Sequence, residues 1–482
     1  MVFERLDVFM RNVLLIAVVS GVLSGCIVSR VDPQKPELPL PTALPQQTEA
    51  TVQLPDPWWT IFGDDQLNQL VDEALTNNAD VAVAAARVAQ AKAILGITNA
   101  DRLPSVDVQG NVTRSKDSAY VNTTPGIDRH RTIYTVQGGA AFELDLWGKY
   151  LRASQSAREQ LLNTEYGREA TKLSLTGEVA RGYFGLIAAA QQLARGRDTL
   201  ATRTESLRIE KVRFDAGESD EFTYKRAEAD AAATRVSVHQ LELDLVRRTN
   251  ALGVLLGRSP QDLVDRAIEA ERSELPAIVS LPAALPSSVI ERRPDIGAAE
   301  ALLNASAYDI GVARAQMFPS ISLTGAFGSV SPELDNLFKP ASEAWSAAGG
   351  IFQPIFQGGR LRANVKRTEA VREERKAQYA QTMRNAFREV LDGLQGQSLI
   401  AGVTAANAEQ VAALSRATEL AELRYDQGDI AYIDLLDVRR GLFQAQIDLV
   451  AAQRDALLNT VDLALAVGGG LGERAEVLSA SR

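Results

Sequence analysis

The sequence predicts a mostly α-helical protein that carries a small set of membrane-type β-strands and is built from two copies of one structural unit. Three observations predict it. Prolines are missing over two long stretches, from Gly126 to Ser259 and from Ile355 to the C-terminus. Segments of alternating apolar and polar residues lie before or at the start of each stretch. The same short motifs recur in the same order, 210 to 215 residues apart.

Composition narrows the function classes. Of the 482 residues 46% are hydrophobic but only 6% aromatic, and alanine dominates the apolar fraction, which suits closely packed helices better than an aromatic core. A length of 482 residues fits two to four domains. The formal charge of -10 gives no electrostatic footprint for nucleic acid. Two histidines and one cysteine exclude a disulfide framework and argue against a catalytic metal centre.

The N-terminus reads as an export signal. Val13 to Leu23 is an apolar run too short to span a bilayer. It ends in Leu23-Ser24-Gly25-Cys26, which resembles a lipobox, and the chain's one cysteine stands where that motif needs it. Cys26 is therefore the expected lipidation site; a chance buried cysteine is the alternative. Glu4, Arg5 and Asp7 neutralise the first nine residues, whereas a start at Met10 leaves Arg11 as a clean positive flank, so Met10 is the expected initiator. Ile27, in place of aspartate, favours sorting to the outer membrane by resemblance to other bacterial lipoproteins. The expected division is a signal peptide at 1–25, an anchored Pro-rich segment at 26–60, a first repeat at 61–259, a connector at 260–284, a second repeat at 285–467 and a tail at 468–482.

The proline-free stretches are rich in Ala, Leu, Glu, Arg and Gln, as very long helices are. Leu151 to Arg213 as one helix spans about 90 Å, beyond ordinary globular helices. Leu436, Phe443, Val450 and Leu457 recur every seven residues, with Leu435, Leu442 and Leu449 alongside. Two adjacent seams fit a helix with neighbours on both sides, as in a barrel wall, where a simple hairpin needs only one.

The repeat decides the architecture. Arg213-Phe214-Asp215-Ala216-Gly217 matches Arg424-Tyr425-Asp426-Gln427-Gly428. Leu103-Pro104-Ser105 matches Phe318-Pro319-Ser320, and Leu151-Arg152-Ala153 matches Leu361-Arg362-Ala363. Each half thus runs helix, Pro-Ser, extended segment, very long helix, glycine turn, helix.

Four segments alternate with period two. Val106, Val108 and Val112 interleave with Asp107, Gln109, Asn111 and Thr113; Tyr134, Val136, Ala140, Phe142 and Leu144 with Thr135, Gln137 and Glu143. Ile321, Leu323 and Phe327 interleave with Ser322 and Thr324, and a weakly patterned fourth strand lies near Trp345 to Phe356. Each has the length of a membrane strand, with one apolar and one polar face. A soluble sandwich is the alternative, but no second hydrophobic layer is evident for it. Four strands cannot close a membrane barrel, and lipid tolerates no open edge, so strands from several chains must join. Two chains give eight strands and three give twelve; composition leaves both open.

These residues resemble the TolC-like outer-membrane efflux proteins, in the lipoprotein branch that serves resistance-nodulation-division pumps. Four stretches carry the likeness: Trp58-Trp59 with Phe62-Gly63-Asp64, Leu67, Leu70 and Asn77-Asn78; Arg292-Arg293-Pro294-Asp295-Ile296 with Ala298-Ala299-Glu300; Ile310-Gly311-Val312-Ala313 leading to Phe318-Pro319-Ser320-Ile321; and Arg424-Tyr425 with Gly428, Leu435-Leu436-Asp437 and Arg440. Together they cover residues 56 to 467. The sequence departs at Ala79, where relatives often carry proline. The resemblance implies a homotrimer whose twelve-stranded β-barrel sits in the outer membrane and continues as a periplasmic helical barrel. It implies turns at Gly217 and Gly428 on the periplasmic tip, and a gate in which Asp434, Asp437, Arg440 and Tyr425 bond between helices and chains. It also implies a periplasmic adaptor and an inner-membrane pump as partners.

No catalytic constellation is present. His130 reads as a loop residue beside Arg129 and Arg131, His239 as a helix-wall residue, and Gly468-Gly469-Gly470 as a helix stop without the Lys-Ser/Thr of a phosphate loop. No cofactor is expected. Asp434 and Asp437, three residues apart, share one face of a helix start, where the dipole favours carboxylates. Threefold symmetry turns each into a ring on the pore axis that attracts cations. At the offset of 211 their counterparts are Thr223 and Arg226. Asp107, Gln109, Asn111, Thr135 and Glu143 are the expected lumen-facing residues. Passive conduction of small molecules is the expected function; a protein-secretion duct, a pore-less periplasmic coiled-coil scaffold and an enzyme are the alternatives.

Overall fold

A computed structural model describes residues 54–118, 120, 129–265, 274–279 and 292–469. Met10, Cys26, the Pro-rich segment up to residue 53, the connector at 266–273 and 280–284, and the tail beyond Gly469 lie outside the described residues.

The elements run as the repeat demands. A short 3₁₀ turn, Trp58–Phe62, leads into α1 (Asp65–Asn77) and α2 (Ala79–Ala100). Strands β1 (Ser105–Lys116) and β2 (His130–Leu144) follow, then α3 (Lys149–Asp215), α4 (Glu221–Leu255) and α5 (Pro260–Asp265). The second half holds α6 (Pro294–Ala315), β3 (Ser320–Ser331), β4 (Glu343–Phe352), α7 (Arg360–Asp426) and α8 (Tyr432–Ala466). The halves match in length as well as order. α3 and α7 both have 67 residues, α4 and α8 both 35, α2 and α6 both 22, and β1 and β3 both 12. A 67-residue helix is on the order of 100 Å long.

Two details differ from the sequence reading. β4 stops at Phe352 rather than Phe356, because Pro354 has no N–H to give to a ladder. His130 opens β2, opposite Lys116, rather than lying in the loop. The start of α2 at Ala79 needs no proline: the Asn78 side chain accepts from the Asp80 N–H at 2.8 Å and donates to the Leu255 carbonyl at 2.9 Å.

The chain divides into two compact units. One, formed by Val88–Asn163 and Ala299–Tyr379, carries the sheet. Its four strands pair β1-β2-β3-β4, all antiparallel, leaving one side of β1 and one side of β4 unpaired. The register sorts residues by face. Asp107, Gln109 and Asn111 lie opposite Gly139, Gln137 and Thr135, and Glu143 lies opposite Ser322. All five expected lumen residues therefore share one face. The other face carries Val106, Val108, Val112, Tyr134, Phe142, Leu323, Phe327, Trp345 and Ile351. In the single chain this apolar face is bare: Val108 is 79% exposed, Trp345 75% and Ile351 74%.

The helix-side end of the sheet is pinned. Trp147 stacks on Phe318 with centroids 4.9 Å apart, and its indole donates to the Pro319 carbonyl at 2.6 Å. Asp145 caps α3 by accepting from the Tyr150 and Leu151 N–H groups at 3.1 and 2.8 Å. Glu143 accepts from Lys149 Nζ at 2.6 Å and from the Tyr150 hydroxyl at 2.9 Å.

The other unit, which includes Thr164–Ala298 and the chain from Ala380 onward, has a conventional core. Trp58, Leu67, Val71, Tyr183, Phe184, Ile187, Leu252, Leu256, Leu457 and Val461 are buried together. Each such side chain contributes about 1.5–3 kcal/mol when fully removed from water. Trp58 donates to Thr176 Oγ1 at 3.1 Å, and Asp64 caps α1 by accepting from Gln66 and Leu67. Arg293 explains the Arg-Arg-Pro-Asp string. It forks onto Asp295, reaches Glu389 at 2.8 Å and donates to the Ala466 carbonyl at 3.0 Å, closing the C-terminal end of α8. Burial works against its charge, but Asp295 and Glu389 outweigh it and raise its pKa. α2 is long and apolar enough to cross a membrane by length and composition alone, yet most of it is exposed in the single chain.

Candidate functional site

Each pair of long helices reverses through a turn of one kind. At the first, the Gly217 N–H donates to the Phe214 carbonyl at 3.0 Å and the Glu218 N–H to the Arg213 carbonyl at 2.8 Å. At the second, Gly428 donates to Tyr425 at 2.9 Å and Asp429 to Arg424 at 2.8 Å. Both are Schellman ends, with Gly217 at φ +73° and Gly428 at φ +80°. Nothing lies within 4 Å of a Cβ built at either position, so backbone conformation and not space selects glycine.

Just behind the turns, charged side chains occupy positions that a helix seam normally gives to apolar ones. On α3, Arg203 and Glu210 are 4% and 2% exposed; on α4, Asp230 is 3% exposed. Asp230 is the junction. Arg203 Nε lies 3.0 Å from one of its oxygens, and Arg440 Nε, from the second hairpin, donates to the other at 3.0 Å. The Arg203 contact is ionic rather than an aligned hydrogen bond, since its Nε and Nη1 are buried without a hydrogen-bond partner. Burial, opposed by Asp230 and reinforced by Arg439 and Arg440, holds the Arg203 pKa below the usual guanidinium value.

A second link runs parallel to it. The Tyr425 hydroxyl donates to Glu210 Oε1 at 2.7 Å, and Arg213 and Ser219 approach the same carboxylate at 3.3 Å. Burial and then the Glu210 charge push the Tyr425 phenol far above its ordinary pKa, so it stays a donor. Tyr432 is raised by burial and then by Asp230. Arg439 forks onto Glu422 at 2.7 and 2.9 Å and donates to Ser206 at 2.9 Å. Ala227, Tyr432 and Leu436 form a small apolar core between these polar links, with Leu207 and Tyr425 against it.

The four residues singled out from sequence divide into two pairs. Tyr425 and Arg440 cross from the second hairpin to Glu210 and Asp230 of the first. Asp434 and Asp437 do not cross. Asp434 accepts from the Ala431 N–H at 3.2 Å, half of a capping box whose other half alanine cannot supply. Asp437 is exposed, with no hydrogen bond or ion pair among the described residues. Their counterparts also stay local: the Thr223 N–H is capped by Asp220 at 2.7 Å, and Arg226 lies over the Phe222 ring. His239 is an exposed residue of α4 that pairs with Glu242. Sequence reasoning missed Arg203, Glu210, Asp230, Glu422 and Arg439. A signal for three of them was present. Arg203, Leu207 and Glu210 step by four and three, as do Ala227, Ala231, Thr234 and Val238 around Asp230, so charges stand in the apolar seam.

The model described as "Outer membrane efflux protein" matches residues 70–258 and again residues 285–469, well over half of the chain. The chain belongs to the outer membrane efflux protein family. "Solvent efflux pump outer membrane protein SrpC" of Pseudomonas putida is 36% identical over 432 residues, 89% of this chain and 88% of that one. "Probable efflux pump outer membrane protein TtgC" of Pseudomonas putida is 32% identical over 468 residues, 95% and 96% of the two chains. The crystal structure of the Campylobacter jejuni CmeC outer membrane channel superposes with a TM-score of 0.86 at 27% identity, covering 93% of this chain and 97% of that one. The paired family matches agree with the paired helices, strands and turns. The protein is an outer-membrane efflux channel.

Proposed function

We propose that three copies of this chain form one twelve-stranded barrel in the outer membrane, continued by a twelve-helix barrel in the periplasm, and that this duct passively conducts small toxic molecules outward. The observation that carries the reading is the four-stranded sheet with a bare apolar face, a polar face and two unpaired edges. Such a sheet is unstable alone in lipid and closes only by edge pairing with further copies. Twelve strands leave a lumen where eight fill theirs with side chains. Asp107, Gln109, Asn111, Thr135 and Glu143 then face the water-filled interior, and Lys149 partly neutralises Glu143. The exposed α2 is covered by neighbouring copies in the same assembly.

The domain division given above is part of this reading, with the two repeats as the two halves of each wall segment. Cys26 carries the lipid anchor. Energy comes from an inner-membrane resistance-nodulation-division pump, passed through a periplasmic adaptor that docks on the turns at Gly217 and Gly428. The duct does no covalent chemistry. The buried links Tyr425–Glu210 and Arg440–Asp230 hold the paired hairpins closed, and Asp434 and Asp437 add carboxylate rings where copies meet on the axis. The solvent-efflux relative supports small apolar compounds as cargo. The test is heat-modifiable gel mobility together with conductance in planar bilayers. A heat-labile oligomer with steady channels supports the reading; a monomer without current refutes it.

A further inference from the structure

The register of the first strand pair places a cluster of basic side chains on the apolar face of the sheet. Alternation puts Arg114 and Lys116 on the same face as Val106, Val108 and Val112. Lys116 lies directly opposite His130, and Arg114 opposite Thr132, so three basic side chains occupy one patch just beyond Val112 and Tyr134. Same-face neighbours on a strand are about 7 Å apart and opposed residues about 5 Å. All three are exposed, and Arg114 and Lys116 have no ion pair among the described residues. Arg114 and Lys116 stand next to each other on one face of one strand and repel, and a cation on the lipid face is tolerated only near the interface. Arg114 and Lys116 therefore call for an anionic partner from outside the chain.

Its place in the fold identifies that partner. The helices join the sheet at the end marked by Pro104, Asp145, Pro319 and Pro354, and Arg114, Lys116 and His130 lie at the other end. If the helices extend into the periplasm, as the proposed function has it, the patch lies at the level of the outer leaflet, facing lipid. We propose that Arg114, Lys116 and His130 form a binding patch for the phosphate groups of the phosphorylated glycolipid of that leaflet, with the apolar band of the sheet against its acyl chains. The guanidinium fork and the ammonium suit phosphate oxygens and give a salt-sensitive contact.

Arg131 supplies an internal control. It lies opposite Ser115, and alternation puts it on the polar face with Gln109 and Thr135, so it carries the same charge at the same end of the sheet but faces away from lipid.

The test is native mass spectrometry of the full-length, detergent-purified oligomer titrated with bisphosphorylated lipid A, dephosphorylated lipid A and phosphatidylethanolamine. Basic residues beside an anionic headgroup contribute on the order of fivefold each in affinity. Arg114→Gln with Lys116→Gln is thus expected to weaken lipid A binding by about 30-fold. Arg131→Gln is expected to leave it within about twofold, and removing the phosphates to weaken wild-type binding as much as the double substitution does. Equal binding by wild type and the double variant overturns the proposal, as does an equal loss on Arg131→Gln or undiminished binding of dephosphorylated lipid. Gel mobility and conductance are measured on the same samples. Intact barrels with unaltered lipid binding remove the patch alone; a wild-type chain that forms no barrel removes the duct reading and the patch with it.

Discussion

Asp230→Ala tests how the two hairpins of each chain are held together. Asp230 and Arg203 are 3% and 4% exposed, and their charges lie 3.0 Å apart. The same carboxylate accepts from Arg440 at 3.0 Å. Removing it leaves Arg203 as a buried cation with no compensating charge and cuts one of the polar links to the second hairpin. Breaking a buried ion pair from one side costs about 3–5 kcal/mol. At about 1.4 kcal/mol per factor of ten, local opening near Arg203 and Arg440 becomes roughly 100- to 3,000-fold more populated. Amide hydrogen exchange of the segments around 203–230 and 425–440 reads this directly, because exchange follows the opening equilibrium. Single-channel conductance rises in parallel if the link holds the duct closed. Arg203→Met combined with Asp230→Leu restores slow exchange, since an apolar pair of similar volume replaces a buried ion pair at little cost. Exchange in Asp230→Ala within about threefold of wild type refutes the ion-pair account. A double variant as labile as the single one refutes the charge argument even if the tip loosens.

Three further outcomes follow from the same region. Asp437→Ala raises single-channel conductance and lowers cation selectivity; since Asp437 has no hydrogen bond or ion pair among the described residues, it leaves tip hydrogen exchange in the separated chain unchanged, and unaltered conductance would count against a gate role. Gly428→Ala forces a side chain to φ +80° and destabilises the turn by about 1–2 kcal/mol, seen as faster exchange near the turn; no change would mean that the left-handed backbone is not required. Tyr425 has a folded-state pKa raised by burial and by Glu210, so its stabilising contribution is complete below the ordinary phenol value near 10 and is lost as pH rises through the folded value. Ultraviolet titration of Tyr425→Phe should therefore lack one tyrosine from the late-ionising class, and loss of an early-ionising one would contradict the buried donor.

Much of the fold was legible because helices and strands leave periodic traces. The offset of 211 residues between the glycine turns reappears as helix pairs of identical length. The alternation of Asp107, Gln109 and Asn111 with valines fixed their common face before any register was known. Strand ends were less legible. Pro354 outweighs the aromatic residues after it, and the strand at His130 depends on its partner Lys116 rather than on local pattern. The tip was only half legible. Tyr425 and Arg440 stood out through motif resemblance, whereas Glu210 and Asp230 are ordinary acids by composition. They become conspicuous only when the seam positions of α3 and α4 are aligned with those of the second hairpin, which is tertiary information. Asp434 shows the reverse case: its position at a helix start explains its carboxylate by capping alone.

Whether three copies close their edge strands into one conducting duct is decided by the mass and conductance of the purified full-length protein in one preparation. The expected result is a heat-labile assembly of three chains that forms steady, water-filled channels in planar bilayers. A stable monomer or dimer, or a trimer that carries no current even when Asp230 and Asp437 are both replaced by alanine, would contradict it.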